Sequence, residues 1–229
     1  MGVNEPISQG VTGMIVLNYG WQLALVVLFS YFVGNFCAAI FISKKFIRQD
    51  IRGMGSKNAG TTNMTRVFGM KYGAATLLID LLKGFACVLV SKWVLTSIGG
   101  PDAGMLAEYL AGLAVILGHN YPVLLGLRGG KGFASGIGVF IAVNPLFTFI
   151  VLLLGVIMLF IVDRMSVFAL AFFAVEAIYY FIVHEHWWIP LFTGVYFILA
   201  VIAHWPNIIR LVRGEEKKLG LLRLIAKGR

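Results

Sequence analysis

Long apolar runs constrain this chain more than any other feature. A helix needs roughly 20 apolar residues to cross a bilayer core of about 30 Å. Runs of this kind lie near 21–42, 73–96, 105–120, 131–144, 146–162, 165–183 and 188–203. Only 13% of the 229 residues are charged, whereas a soluble domain carries about 25%. The sequence therefore predicts an all-α polytopic integral membrane protein and excludes a disordered, fibrous or secreted disulfide-rich chain.

One part of this path stays ambiguous in the sequence. The run 131–144 is short, and Asn144-Pro145 follows it. Asparagine is a common N-cap, and proline is favoured at the first position of a helix. Residues 131–162 are therefore expected to form either two helices or one long kinked helix.

Basic residues concentrate in two segments. Residues 43–72 and 204–229 hold 14 of the 19 Lys and Arg residues. Both segments adjoin apolar runs, so the positive-inside rule explains them better than nucleic-acid binding does. If both face the cytoplasm, the number of spans is odd. We predict seven transmembrane helices, with the N-terminus outside and the C-terminus in the cytoplasm.

No internal repeat or low-complexity linker divides the chain. We expect an N-terminal extension over 1–20, a transmembrane domain over 21–209 and a basic cytoplasmic tail over 210–229. His184 and His186 flank Glu185, but two exposed histidines usually form only a polar turn, and the sequence has no other cluster of metal ligands. We therefore predict no metal site.

The first polar segment is GMGSKNAGTTNMTR at residues 53–66. Glycine permits backbone conformations that turn several N–H groups toward one point, and such concavities bind anions. The hydroxyl and amide side chains and Arg66 would complete a phosphate site. The alternative is a flexible loop between helices.

The second polar segment comprises GHNYP at 118–122 and GGKGFAS at 129–135. It lacks the spacing of a P-loop, which requires Gly, four residues, then Gly-Lys-Ser/Thr. The free N–H groups at the start of a helix favour an anion, and Lys131 adds a positive charge. The alternative is a glycine-rich contact between packed helices.

The third polar segment is HWPNIIRLVRGEEK at 204–217, where the last span ends. His204 and Asn207 are three residues apart and would share one face of a helix, although Pro206 can distort that turn. For Arg213, Lys217 and Lys218 we favour an alternative role, contact with anionic lipid.

Together these segments resemble the bacterial acyl-phosphate:glycerol-3-phosphate acyltransferases, the PlsY family, over about residues 20–218. The matching motifs run from Gly55 to Arg66, from Gly118 to Gly132, and from His204 to Glu216, with Asp-Leu-Leu-Lys-Gly at 80–84 as a further helix signature. The sequence departs from the family pattern at Ala59, Thr61 and Pro206.

The resemblance implies the transfer of a fatty acyl chain from acyl-phosphate to the 1-hydroxyl of glycerol-3-phosphate. The products would be lysophosphatidic acid and phosphate, at the first step of phospholipid synthesis. Because the donor is already activated, no cofactor or metal is implied. The implied partners are the two substrates and membrane lipids, and the implied location is the bacterial inner membrane with the site facing the cytoplasm.

The resemblance also implies roles for individual residues. The expected catalytic residues are Ser56, His204 and Asn207. The expected substrate- and phosphate-binding residues are Asn58, Thr62, Asn63, Arg66, His119, Gly129, Gly130, Lys131 and Gly132. The expected structural residues are Asp80, Lys83 and Glu216.

Several alternatives stay open at this stage. No histidine is followed by Asp at the fifth position after it, so a His-x₄-Asp dyad is excluded. The base would be a substrate phosphate or His204, and Ser56 could instead form an acyl-enzyme. An acyl-CoA or acyl-carrier-protein donor is a further possibility, and the main rival function is transport of a phosphorylated metabolite.

Overall fold

A computed structural model describes residues 5–184 and 186–220 of the chain, with side chains from residue 10 onward. The described part is helical and contains no strand. The helices are α1 Glu5–Asn35, α2 Ala38–Phe46, α3 Thr61–Phe68, α4 Met70–Asn120, α5 Phe133–Val143, α6 Pro145–Val162, α7 Met165–Val183, α8 Trp188–Ala203 and α9 Trp205–Val212. Residues 1–4 of the expected extension and 221–229 of the expected tail lie outside the described residues.

Helix α4 joins two of the predicted spans. Its 51 residues would extend about 77 Å if the helix were straight, at 1.5 Å per residue, which is more than twice the thickness of a bilayer core. Gly100 interrupts it with a φ of +82°, and Pro101 follows. The break separates an arm that contains 73–96 from an arm that contains 105–120.

The ambiguous region 131–162 consists of two helices, α5 and α6. They meet at Asn144, whose φ of −146° is not helical. The side chain of Asn144 accepts a hydrogen bond from the N–H of Phe147 at 3.2 Å, and Pro145 occupies the first turn of α6. The expected N-cap is therefore confirmed, and the single kinked helix is wrong.

The described residues contain four helical segments that are long and apolar enough to cross a membrane. The bent pair α8 and α9 gives a fifth segment if it counts as one span. Helix α5 is also apolar, but it is shorter than these segments. These segments agree with the all-α integral membrane fold that the sequence predicts. The count of seven and the orientation of the termini stay predictions.

Glycine contacts bring the central helices close together. A Cβ on Gly34 of α1 would lie 2.9 Å from the Cα of Gly118 in α4. A Cβ on Gly138 of α5 would lie 2.9 Å from the N atom of Phe85 in α4. Without side chains at these positions, membrane helices pack backbone against backbone. Both α1 and α5 are thereby held against α4, which carries the second polar segment at its end.

Candidate active site

The first polar segment forms a tight loop over residues 53–60, and Asn63 of α3 holds it. Asn63 is only 1% exposed. Its Oδ1 accepts from the N–H of Ser56 at 2.9 Å, and its Nδ2 donates to the carbonyls of Met54 and Asn58, both at 3.0 Å. Both N–H donors of the amide are therefore used within the loop.

The two glycines of the second polar segment lie against the end of α4. The N–H of Gly129 donates to the carbonyl of Asn120 at 3.3 Å, and that of Gly130 donates to the carbonyl of His119 at 3.1 Å. A Cβ on Gly129 would lie 2.7 Å from Pro122, and a Cβ on Gly130 would overlap the imidazole of His119. These glycines therefore serve the close packing of two backbones.

Lys131 and Gly132 lead into α5. Gly132 is the N-cap of this helix and has a φ of +77°, a conformation that favours glycine. The first N–H groups of a helix have no partner inside the helix. Lys131 therefore stands beside unpaired donors, as the sequence predicts for an anion site.

The third polar segment begins at the bend of 63° between α8 and α9. His204 lies in the bend, and its Nδ1 is 2.9 Å from the carbonyl of Ala200. Because a carbonyl only accepts, this contact places a proton on Nδ1 and leaves the Nε2 lone pair of a neutral imidazole free. Pro206 occupies the first turn of the new helix α9, so the chain bends before the proline.

A chain of hydrogen bonds joins the second and third segments. Lys131 donates through Nζ to Asn207 Oδ1. Asn207 in turn donates through Nδ2 to Glu216 at 2.6 Å. The Glu216 carboxylate also accepts from Ser166 at 2.9 Å and from Arg210 at 2.7 Å. Glu216 therefore fixes the amide that contacts Lys131.

All three polar segments meet at one cavity of about 570 Å³. The predicted site residues that line it are Ser56, Asn58, Thr62, Asn63, Arg66, Asp80, His119, Lys131, Gly132, His204, Asn207 and Glu216. Three predicted residues, Gly129, Gly130 and Lys83, are not part of the lining. The first and third segments are separated by more than 130 residues in the sequence, yet the fold brings all three to a single site.

Positive charge prevails around this cavity. The cations in its lining are Lys57, Arg66, Lys131, Arg210 and Lys217, and the acids are Asp80 and Glu216. Both acids are already paired, Asp80 with Lys83 at 2.9 Å and Glu216 with Arg210 at 2.7 Å. The cavity therefore suits an anionic ligand.

The titration of two groups reflects this environment. Burial and the nearby charge of Arg210 together lower the pKa of Lys131 to about 8, while the charge of Glu216 opposes the change. Burial alone would raise the pKa of Glu216, but hydrogen bonds from Asn207, Arg210 and Ser166 together bring it below its usual value. Glu216 therefore stays ionised at neutral pH and holds its three donors.

Several residues of the site carry no signal in the sequence. Ser166 lies at the start of α7 and donates to Glu216, but a serine at the start of a span is too common to predict a role. Leu77, Met165 and Ala169 give the cavity an apolar wall. Lys217 also lines the cavity, although the sequence favours a lipid contact for it.

No group of three or more His, Cys, Asp or Glu side chains that could hold a metal ion occurs within the described ranges. The residues around the cavity that bear donors are lysines, arginines, histidines, hydroxyls and amides. These are the groups that bind phosphate.

Comparison with known proteins identifies the family. Residues 24–214 match the family described as glycerol-3-phosphate acyltransferase. The chain belongs to this family. A relative from Finegoldia magna with that name is 37% identical over 205 residues, covering 89% of this chain and 99% of the relative. A relative from Clostridioides difficile with the same name is 35% identical, covering 86% of this chain and 95% of the relative.

Solved structures agree with this assignment. The chain is similar to the crystal structure of PlsY (YgiH), an integral membrane glycerol 3-phosphate acyltransferase, in its glycerol 3-phosphate form. The TM-score is 0.79 at 30% identity, covering 89% of this chain and 98% of the other. The lysophosphatidic acid form of PlsY matches with a TM-score of 0.77. The predicted family is confirmed, and the transporter alternative has no support from these comparisons.

Proposed function

We propose that the protein transfers a fatty acyl chain from acyl-phosphate to the 1-hydroxyl of glycerol-3-phosphate. The observation that carries this proposal is a single cavity in which three motif segments surround an excess of positive charge beside an apolar wall. Each substrate carries a phosphate, and the acyl chain requires apolar surroundings. Relatives of the chain have been solved with glycerol 3-phosphate and with lysophosphatidic acid.

The phosphates are assigned to the two loop segments. Arg66 has no ion-pair partner among the described residues, and with Ser56 and the N–H groups at the start of α3 it would hold one phosphate. Lys131 and the start of α5 would hold the phosphate of glycerol-3-phosphate. Asn63 has no free N–H donor, so we assign it to shaping the loop.

In the reaction the hydroxyl oxygen attacks the acyl carbon, the ester bond forms, and the bond from that carbon to the phosphate oxygen breaks. The hydroxyl proton has two available acceptors, an oxygen of the leaving phosphate and Nε2 of His204. Asn207 keeps one Nδ2 proton beyond its bond to Glu216, and this proton is available to the developing oxyanion. Replacement of His204 by Gln distinguishes the acceptors, since a limb of the pH profile that depends on His204 disappears in this variant only if His204 is the base.

The membrane arrangement follows the positive-inside rule. We propose seven spans in one transmembrane acyltransferase domain over 21–209, with an outer N-terminal extension over 1–20 and a cytoplasmic tail over 210–229. The cavity would then open to the cytoplasm of a bacterial cell, from the inner membrane. Both basic segments supply residues to the cavity, Arg66 and Arg210 among them, which supports a cytoplasmic site.

The test is a transfer assay on the purified protein in detergent with labelled glycerol-3-phosphate. Palmitoyl-phosphate, palmitoyl-CoA and palmitoyl-acyl carrier protein are supplied as separate donors. We expect lysophosphatidic acid from palmitoyl-phosphate alone. Product from either other donor alone would contradict the donor assignment, and no product from folded protein would contradict acyl transfer.

A matched pair of variants tests the site. Arg66→Gln removes a cation of the cavity, whereas Lys71→Gln removes an exposed cation that does not line it. We expect a large loss of kcat/KM for the first variant only. Equal effects would contradict the placement of a phosphate beside Arg66.

A further inference from the structure

A buried cluster of charge lies beneath the cavity, inside α4. Asp80 and Lys83 are one helical turn apart, and His119 stands at the end of the same helix. They are 1%, 7% and 3% exposed, respectively. Asp80 and His119 line the cavity and Lys83 does not, so the lysine stands behind the two groups that a ligand would meet.

Lys83 is surrounded by four acceptors. Its Nζ lies 3.2 Å from the carbonyl of Gly34, 2.7 Å from that of Phe36, 2.8 Å from His119 Nδ1 and 2.9 Å from Asp80 Oδ1. The two carbonyls belong to the junction between α1 and α2, where the helix ends and leaves carbonyls without partners. Lys83 thus joins this junction to the end of α4, and Asp80 balances its charge.

The contact with Lys83 determines which nitrogen of His119 carries the proton. An ammonium group has donors only, so Nδ1 must be the acceptor in this contact. Asp80 Oδ1 is 3.6 Å from the same Nδ1, which is beyond ordinary hydrogen-bonding distance. The proton of the neutral imidazole therefore lies on Nε2.

The Nε2–H of His119 has no acceptor among the described residues. It lies beside Gly130, where a Cβ would overlap the imidazole and approach the carbonyl of Ala59 within 2.8 Å. Glycine at this position therefore leaves room for the ring. The imidazole is held from behind by Lys83, and His119 lines a cavity that is rich in positive charge.

We propose that His119 is a neutral hydrogen-bond donor through Nε2 to a phosphate oxygen of the bound substrate, and that Lys83 and Asp80 are positioning residues that fix this tautomer. His119 is then excluded as a base, because its only basic nitrogen is occupied by Lys83. Without Lys83, Asp80 would attract a proton to Nδ1, and the Nε2 lone pair would face the phosphate and repel it.

The tautomer is measured directly by nitrogen-15 NMR of the histidine side chains in the full-length protein in detergent. The chain has four histidines, and the His119→Gln variant assigns the signal. We expect a neutral ring with the proton on Nε2 in the wild type, and protonation of Nδ1 in Lys83→Met. A wild-type His119 protonated on Nδ1, or on both nitrogens at neutral pH, overturns the proposal.

Kinetics supply the second readout, with KM measured separately for glycerol-3-phosphate and for the acyl donor that supports turnover. His119→Ala should raise one of the two KM values by about 10- to 100-fold, as expected for a lost hydrogen bond to a charged group. The substrate whose KM rises is the one whose phosphate accepts the hydrogen bond from His119. His119→Gln retains an N–H donor near the Nε2 position and should recover most of the loss. Equal inactivity of the two variants, or unchanged KM values in His119→Ala, contradicts the proposal.

Lys92→Met is the matched control, because Lys92 also lies in α4 and pairs with the buried Glu108 at 2.8 Å, but does not line the cavity. We expect it to leave both KM values and the His119 signal unchanged. The proposal rests on binding of a phosphorylated substrate by this family and not on the identity of the acyl donor. Failure of the acyl-phosphate assignment would therefore leave the tautomer result intact.

Discussion

Replacement of Glu216 by Ala tests whether the hydrogen-bond chain through Asn207 organises the site. The carboxylate accepts from Asn207 at 2.6 Å, from Ser166 at 2.9 Å and from Arg210 at 2.7 Å. Asn207 is 9% exposed and Ser166 is 4% exposed. Once the acceptor is lost, both donors are left without their partner, and Lys131 loses the amide that is held in place for it.

The expected magnitude follows from these contacts. The side chain of Arg210 is 40% exposed, so its ion pair contributes roughly 0–1 kcal/mol. Hydrogen bonds to a charged acceptor contribute about 1.5 kcal/mol or more each, so the two buried ones together contribute about 3 kcal/mol. If that loss falls on the placement of Asn207 and Lys131, kcat/KM decreases about 100-fold.

The assay is the acyl-transfer rate of purified variants, together with their thermal unfolding in detergent. Glu216→Gln retains an acceptor for Asn207 or Ser166 and should lose about tenfold or less. Glu215→Ala is the matched control. Glu215 is the residue before Glu216, its carboxylate is exposed, and it forms no ion pair among the described residues. A Glu216→Ala variant that remains as active as Glu215→Ala would refute the reasoning.

The same carboxylate predicts a pH dependence of stability. The pKa of Glu216 is lower in the folded protein than its ordinary value. A group of this kind stabilises the fold fully above its unfolded pKa, and the contribution is lost as the pH falls through the folded pKa. The difference in melting temperature between wild type and Glu216→Gln should therefore shrink in acid. If the difference in melting temperature stays constant as the pH falls into the acid range, the assigned role of the Glu216 carboxylate in stability is wrong.

Three further predictions concern the other parts of the site. Lys131, with a pKa of about 8, is charged below that pH, so kcat/KM should fall above about pH 8, and Lys131→Arg should move this limb to higher pH. Gly130→Ala should displace the imidazole of His119 and abolish most activity, whereas Gly194→Ala, where a Cβ meets nothing within 4 Å, should be neutral in the same assay. Asn63→Asp replaces the two N–H donors by a carboxylate oxygen that faces carbonyls, so it should reduce kcat/KM by 100-fold or more and also lower the melting temperature.

The helical membrane fold could be predicted from the sequence because it depends on local properties. Apolar runs mark the helices, and Asn144-Pro145 marks the boundary between α5 and α6. The break in α4 at Gly100 lies between the predicted runs 73–96 and 105–120, where glycine followed by proline is typical of a turn. Asp80 and Lys83, which are three residues apart in α4, form an ion pair at 2.9 Å.

The site could be predicted only in outline. The motif segments indicate which loops carry the chemistry, and they meet at one cavity. Which atoms of a motif face a ligand depends on contacts between distant segments. Asn63 and Gly130 belong to motifs that predict phosphate binding, yet the donors of the first are used by its own loop and the second makes room for His119. Ser166 shows the converse case, since only its contact with Glu216 reveals a role.

The basic tail shows why position along the chain is a poor guide to function here. Its composition favours contact with anionic lipid, and within residues 213–220 only the end of the third motif, at Gly214 and Glu216, indicates another role. In the structure, this stretch returns to the loop before α7, where the N–H of Leu219 donates to the carbonyl of Asp163 at 2.8 Å. Lys217 and Leu219 line the cavity. Since Glu216 lies within this stretch and fixes Asn207, the described part of the tail is part of the candidate site, and its displacement would disrupt the contact to Lys131.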